Sequence, residues 1–148
     1  METRAELDLP CGPHELYEHV ALLDRYPPWM PLVHATSPAT ERDDRPAWDV
    51  ELRTRIGPLA RSKRLRMVRT AAEPDRRAVF ERQEVDGRRH AAWVLTVAVE
   101  PTPTGSHLEM HLSYGGSLWG AVLERVLAEE IRRGSENLFR LVSDAPTR

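Results

Sequence analysis

The chain has 148 residues, of which 41% are hydrophobic, and its formal net charge is -2 at pH 7. This length suits one compact domain spanning residues 1–148 with a single hydrophobic core. The small net charge provides no global field that would attract nucleic acid or acidic lipid, so no nucleic-acid partner is expected.

No segment predicts export, membrane insertion or a disulfide. The longest apolar run, Ala91 to Val99, is far shorter than the ~20 residues that a membrane-spanning helix needs, and the N-terminus lacks the pattern of a signal peptide. Cys11 is the single cysteine and cannot form an internal disulfide. We therefore expect a cytoplasmic protein with no transmembrane segment.

The N-terminal segment predicts a strand followed by short helices. Arg4 to Leu9 alternates apolar and charged residues, as a half-exposed strand does. Pro13 then occupies a favourable first helical position, and apolar residues recur at intervals of three and four beyond it. Pro27 and Pro28 interrupt the helical pattern, which places Trp29 on a non-helical corner as either a lid or a plug.

From His34 to Tyr114 the sequence contains only strand patterns separated by turns. The turns are expected at Arg42 to Arg45, Gly57-Pro58, Glu73 to Asp75, Asp86-Gly87 and Pro101 to Gly105. This arrangement predicts an antiparallel meander. Because side chains alternate across a strand, one face receives the apolar set. The inward positions are Trp48, Val50, Leu52, Thr54, Leu65, Met67, Phe80, Trp93, Leu95, Val97 and Val99.

The last third predicts a half-buried strand that leads into a long helix. Leu108, Met110, Leu112 and Tyr114 alternate with polar residues, and Gly115-Gly116 then ends the strand. The helix is expected from roughly Leu118 to Val142. Its apolar stripe contains Trp119, Leu123, Val126, Leu127, Ile131, Leu138 and Leu141. Three residues interrupt this stripe and are therefore expected to face the sheet: Glu130, Gly134 and Asn137.

These elements resemble the SRPBCC superfamily, whose members are also called START-like or helix-grip proteins. The local resemblance lies in Leu9 to Tyr17, Asp24 to Pro31, Phe80-Glu81 and Tyr114 to Gly116. It implies an α+β helix-grip fold, in which a curved antiparallel sheet wraps around a long C-terminal helix and two short helices follow the first strand. Within the superfamily the chain is most similar to the small bacterial polyketide cyclase/dehydrase and lipid-transport group.

The resemblance implies binding or transport of a hydrophobic or amphipathic small molecule, such as a lipid, isoprenoid or polyketide, in a cavity between sheet and helix. The implied cavity residues are Trp29, Trp48, Leu52, Met67, Phe80, Arg82, Trp93, Met110, Tyr114, Leu123, Leu127 and Glu130. Arg82, Tyr114 and Glu130 would orient a polar end of the ligand. The apolar positions are equally those of an ordinary core.

An enzyme of the aromatase/cyclase type is the second hypothesis, with Tyr114 and Glu130 as its catalytic candidates. The Tyr114 hydroxyl could polarise a ligand carbonyl, and a carboxylate in an apolar stripe could act as an acid. Glu130 could equally form a structural ion pair, for which Arg82 is the first partner to test. No second group at a defined spacing identifies a base.

A metal site is not expected, although His107, Glu109 and His111 share one strand face, because that face points outward and three alternate residues reach a common ion poorly. The glycine spacings match no phosphate-binding motif, so no cofactor is expected.

The segment from Arg53 to Arg69 is basic and predicts one hairpin. It supports a third hypothesis, a toxin-like or regulatory protein that binds a partner through this hairpin. The sequence leaves the oligomeric state open.

Overall fold

The computed structural model describes residues 2–39, 44–56, 58–115 and 120–144, and at positions 56, 120–124 and 144 it describes the backbone alone. In chain order the elements are β1 (Glu2–Leu9), α1 (Pro13–Val20), a 3-10 turn (Leu23–Arg25), β2 (Val33–Pro38), β3 (Ala47–Ile56), β4 (Leu59–Glu73), β5 (Arg77–Arg82), β6 (Trp93–Thr102), β7 (Gly105–Tyr114) and α2 (Gly120–Asp144). The α+β order expected from the sequence is confirmed. The second of the two expected short helices is a single 3-10 turn.

The strands form one antiparallel sheet in the order β1-β7-β6-β5-β4-β3-β2. Strands β2 to β7 follow one another as neighbours, which confirms the predicted meander. Strand β1 instead crosses to the far edge and pairs with β7, where Ala5 lies opposite Met110. The pairing register shifts after Val33 in β2 and after Arg69 in β4. Such irregularities bend a strand and increase its twist, so they favour a curled sheet.

Three of the predicted turns separate consecutive strands as expected: Glu73 to Asp75, Asp86-Gly87 and Pro101 to Gly105. Asp75 and Gly87 have φ values of 64° and 74°, the left-handed conformation that Asp, Asn and Gly tolerate in turns. The other two predicted turns, Arg42 to Arg45 and Gly57-Pro58, include positions outside the described residues.

Helix α1 begins at Pro13, which needs no hydrogen-bond partner for its nitrogen at the first helical position. Its Leu16 and Val20 side chains are fully buried, which confirms the predicted apolar face. Helix α1 packs against β6 and β7, and the 3-10 turn packs against β2 and β3.

The joint between β1 and α1 lies directly on the β6–β7 turn. Ser106 Oγ donates a hydrogen bond to the carbonyl oxygen of Cys11 over 2.7 Å in a buried setting. A Cβ atom at Gly105 would overlap the carbonyl oxygen of Leu9. A residue without a side chain is therefore required for the two chain segments to approach this closely.

Helix α2 contacts β1 at one edge of the sheet and β3 close to the other edge. One helix reaches both because the sheet curls around it. The buried side of α2 carries Leu127, Ile131, Leu138 and Val142. Leu141 was expected on this side, but it is 38% exposed. The face of α2 that contacts the sheet is rotated toward Val142 by part of a turn. Helical periodicity predicts the width of an apolar stripe better than it predicts which residue lies at the centre of the stripe.

An aromatic cluster of Tyr26, Trp29, Trp48 and Phe80 fills one part of the core. The ring centroids of Tyr26 and Trp29 lie 4.6 Å apart, and those of Trp48 and Phe80 lie 5.9 Å apart in an edge-on arrangement. Trp29 is fully buried, so it acts as a plug. Within the described chain, no helix combines the length and the apolar character that crossing a bilayer requires.

Candidate functional site

A cavity of about 70 Å³ lies within the apolar interior, among residues of the sheet, of the 3-10 turn and its following corner, and of α2. Its wall is apolar apart from one threonine and one tyrosine. The lining residues are Thr3, Leu23, Tyr26, Met30, Leu32, Val33, Val50, Leu52, Leu65, Met67, Trp93, Leu95, Met110, Leu112 and Ile131. The strand residues lie here because period-two alternation directs them to the inner face.

Methionine contributes three side chains to this wall: Met30, Met67 and Met110. Methionine is unbranched and polarisable, so it repacks at low cost around differently shaped neighbours. Gly134 of α2 lies behind Met30, where an added Cβ would be 2.6 Å from the Met30 sulfur and 2.7 Å from its methyl carbon. The absence of a side chain at Gly134 therefore gives Met30 its space against the helix.

Beside the cavity, Lys63 and Thr54 lie next to lining residues without lining it themselves, and Trp93 belongs to the lining. Lys63 pairs with Leu52 in register and alternates with Leu65 on β4, so it belongs to the inner face. Its Nζ lies 6.0 Å from the ring centroid of Trp93, which itself stacks on Tyr114 at 5.1 Å. Trp93 Nε1 and Thr54 Oγ1 are buried without a hydrogen-bond partner among the residues that the structure describes. We call Thr54, Lys63 and Trp93 the cationic end.

Arg82 lies near this end and is held by its own neighbours. Its side chain is 9% exposed, and its Nε donates to Glu84 Oε1 over 3.0 Å. The guanidinium also lies 3.2 Å from His90 Nδ1. Burial lowers the pKa of Lys63, and the positive charge of Arg82 lowers it further. Arg82 thus acts on Lys63 as a nearby like charge whose own carboxylate partner is Glu84.

The pair between Arg82 and Glu130 suggested by the sequence is not formed in the described part of the chain. Glu130 is 17% exposed at the edge of the α2 stripe, and its carboxylate lies 4.0 Å from Arg133 on the same helix. The sequence did not identify Glu84 as the partner of Arg82. Glu84 follows β5 in an irregular segment, where strand alternation no longer predicts which way a side chain points. Asn137, which also interrupts the apolar stripe, donates to the carbonyl oxygen of Trp29 over 3.1 Å.

The structure brings together only part of the residue set expected for the cavity. Leu52, Met67, Trp93 and Met110 line it. Five others are buried in the core outside the lining: Trp29, Trp48, Phe80, Tyr114 and Leu127. The catalytic candidates Tyr114 and Glu130 do not line it, and the side chain of Leu123 lies outside the described residues.

Lys63 is the residue of greatest chemical interest that sequence reasoning did not select. The alternation of β4 predicts its position, because Lys63 has the same parity as the inward residues Leu65 and Met67. The basic residues around Lys63 suggest an exposed surface instead. Arg64 and Arg66, of the opposite parity, lie across from Glu51 and Asp49. The segment does form one hairpin, as predicted, from β3 and β4.

A second depression of about 400 Å³ follows β2, β3 and β4 and is lined by polar residues, among them Asp49, Glu51, Arg64 and Glu84. Charges of opposite sign alternate along it, so it presents no single charge to a ligand. Arg66 also donates to the carbonyl oxygen of Gln83 over 2.8 Å.

The face of β7 that carries His107, Glu109 and His111 forms cross-strand pairs with β1. His107 Nδ1 lies 2.7 Å from Asp8 Oδ1, and Arg4 Nε lies 3.5 Å from Glu109 Oε1. The hydrogen bond to Asp8 raises the pKa of His107. The residues that the structure describes contain no group of three or more His, Cys, Asp or Glu side chains placed to hold a metal ion.

Residues 2–143 match the family described as polyketide cyclase / dehydrase and lipid transport. No curated protein matches the sequence. The family match covers all ten elements except the last residue of α2.

Several solved structures share this fold. TTHA0849 from Thermus thermophilus has a TM-score of 0.76 at 18% identity, with 99% of this chain and 100% of that chain covered. A START superfamily protein from Mycobacterium smegmatis has a TM-score of 0.71 at 14% identity, with 96% and 97% covered. The di-domain ARO/CYC StfQ from the steffimycin biosynthetic pathway has a TM-score of 0.70 at 15% identity, with 97% of this chain and 50% of that chain covered.

At these identities the structural likeness establishes the START-like helix-grip fold. The expected membership of the SRPBCC superfamily is confirmed, and the chain belongs to the polyketide cyclase/dehydrase and lipid transport family.

Proposed function

We propose that the protein binds one hydrophobic or amphipathic small molecule, of the lipid, isoprenoid or polyketide class, in the cytoplasm, with the apolar part of the molecule between the sheet and α2. The observation that carries this proposal is the interior cavity, whose wall is almost wholly apolar. Burying apolar surface of the ligand there would supply about 25 cal/mol per Å².

The cavity must expand to hold a molecule of this class. Its volume of about 70 Å³ is well below the ~300 Å³ at which typical ligand pockets begin. The wall is suited to expansion, because the methionines can change rotamer without a large loss of contact. Met30 can move without encountering a Cβ at Gly134. Binding is therefore expected to proceed by rearrangement of side chains, and the apo cavity is small because those same side chains fill it.

The test is a titration with N-phenyl-1-naphthylamine, a neutral apolar dye whose fluorescence rises on burial. Wild-type protein should bind it saturably at a ratio of one. Leu95→Trp should weaken binding about tenfold or more, because Leu95 lines the cavity and is only half-buried, so the larger ring can occupy the space without unfolding the core. Leu95→Phe provides a milder second variant.

Leu141→Trp is the matched control, because it adds the same atoms to an exposed position of α2. Its dye affinity should equal that of the wild type, and circular dichroism should show that each variant is folded. Equal weakening by both variants, or unchanged binding by folded Leu95→Trp, would place the dye elsewhere and contradict the proposal.

The cyclase hypothesis lacks a specific supporting observation in the described residues. A cyclase needs an acid and a base that reach the same bound molecule, and neither Tyr114 nor Glu130 lines the cavity. The partner-binding hypothesis is also less favoured, because Arg66 and Arg69 of the basic hairpin donate to backbone carbonyls of this chain.

A further inference from the structure

Lys63 is a cation on the apolar inner face of the sheet. On that face of β4 it precedes Leu65 and Met67, both of which line the cavity, and Leu52 lies opposite it on β3. Its Nζ lies 6.0 Å from the centroid of the Trp93 ring.

Within the described chain, no carboxylate forms an ion pair with Lys63. The carboxylate of Glu84 accepts hydrogen bonds from Arg82 and from the backbone N–H of Arg66. The next charge that acts on Lys63 is the positive Arg82. Among the residues whose side chains are described, the local charge balance at the cationic end is therefore positive, although the whole chain is slightly acidic.

Two neutral groups add unused hydrogen-bonding capacity at the same end. Trp93 is 7% exposed and lines the cavity, and its Nε1 has no partner in the described part of the chain. Thr54 lies two residues beyond Leu52 on the inner face of β3, and its Oγ1 is also buried without a partner. A buried polar group without a partner costs roughly 1–3 kcal/mol. Such groups persist where a ligand completes them.

We propose that the cationic end receives an anionic end group of the ligand, so that the ligand class is a monoanionic amphiphile with a carboxylate at one end and an apolar body in the cavity. This inference rests on the proposed function. Lys63 supplies the charge, the indole N–H of Trp93 and the hydroxyl of Thr54 are available as donors, and the apolar wall receives the rest of the molecule. A bound anion would favour the ammonium form of Lys63 and oppose the effects of burial and of Arg82 on its pKa.

A matched pair of probes tests the charge alone. Decanoate and decanol have the same alkyl chain and differ in the end group, and each can displace N-phenyl-1-naphthylamine at pH 7. Wild-type protein should bind decanoate about tenfold more tightly than decanol, because a charge-assisted contact is stronger than a neutral one. Lys63→Gln should reduce this preference to about twofold or less while leaving the affinity for decanol nearly unchanged.

Arg64→Gln is the matched control, because it removes one positive charge from the adjacent residue, which has the opposite parity and lies across from Glu51. Arg64→Gln should keep the tenfold preference for decanoate over decanol. Lys63→Arg retains the charge and should therefore keep most of this preference. This comparison separates a local contact from a general effect of net charge.

The outcomes are distinguishable. Equal binding of decanoate and decanol by wild-type protein, or a preference that survives Lys63→Gln, would overturn the anion assignment and leave hydrophobic binding intact. Failure of both probes and of the dye to bind would overturn the proposed function and this inference with it. Loss of the preference in Lys63→Gln, together with its retention in Arg64→Gln, would establish the site.

Discussion

The aromatic cluster and the cationic end differ in how completely their polar atoms are bonded. In the cluster, the Tyr26 hydroxyl donates to the carbonyl oxygen of Val20 over 2.8 Å, and Trp48 Nε1 donates to Asp24 Oδ1 over 2.9 Å. At the cationic end Trp93 Nε1 has no partner, and Lys63 pairs with no carboxylate of the described chain. Trp29 Nε1 in the cluster is also unbonded, but Trp29 does not line the cavity.

This difference indicates a division between a part of the core that serves stability and a part that keeps binding capacity. Tyr26 and Trp48 fix the corner between α1 and β2, because each of these two rings has both its apolar area and its polar atom occupied. At the cationic end, a ligand of the proposed class would complete groups that have no partner among the described residues. Such local departures from full satisfaction are typical of functional sites.

The largest expected difference comes from the same substitution made in both regions. Trp48→Phe removes a formed hydrogen bond, and we expect it to lower the free energy of unfolding by about 2 kcal/mol. Trp93→Phe removes a buried N–H that has no partner, so its cost should be smaller by about 1–2 kcal/mol. Urea denaturation of both variants measures the difference. If both variants lost the same free energy of unfolding, the proposed difference between the aromatic cluster and the cationic end would be contradicted.

Gly134→Ala should have a smaller effect on stability and a clear effect on binding. Alanine favours the helix over glycine by about 1 kcal/mol, and displacement of the flexible end of Met30 offsets a similar amount. The free energy of unfolding should therefore change by less than about 1 kcal/mol. Because Met30 is pushed toward the cavity, decanol should bind less tightly. Met30→Ala added to Gly134→Ala should restore binding, and no restoration would mean that another contact is responsible.

The smallest effect is expected outside both regions, at His107 on the outer face of β7. The hydrogen bond to Asp8 raises the pKa of His107 above its usual 6.5. Its stabilising contribution is therefore fully present below the pKa of the unfolded state and is lost as the pH rises through the raised value in the folded state. This exposed pair should contribute at most about 1 kcal/mol.

A nuclear magnetic resonance titration of His107 in wild-type protein and in Asp8→Asn checks this expectation. The variant should titrate at a lower pH than the wild type. Binding of decanol should be the same in both proteins, since the pair lies away from the cavity. An unchanged titration would show that Asp8 does not hold the imidazolium form.

The alternation of the strands made much of this structure predictable. It assigned Trp48, Leu52, Met67 and Trp93 to the inner face because one face of an antiparallel sheet must be apolar to pack. The same rule assigns Lys63 to that face, whereas the basic character of the segment from Arg53 to Arg69 suggests a position on an exposed basic surface. For Lys63, position along the strand predicts the face of the sheet better than the charge of the side chain does.

Three features could not be obtained from the sequence. The partner of Arg82 depends on the path of the irregular segment that contains Glu84. The choice of Val142 over Leu141 depends on how the sheet curls against α2, which a helical projection does not contain. The volume of the cavity depends on the rotamers of its lining side chains. The sequence therefore predicts that a cavity exists but not whether side chains fill it.

The pairing of β1 with β7 has a consequence for how the chain folds. Glu2–Leu9 finds its only strand partner in Gly105–Tyr114 among the described elements, so a strand synthesised early must wait for one synthesised late. Contacts between residues so distant along the chain slow folding, because loop closure precedes any gain from the contact. During synthesis β1 is therefore an unpaired edge with Ala5, Leu7 and Leu9 exposed, and the sheet closes only after β7 has left the ribosome.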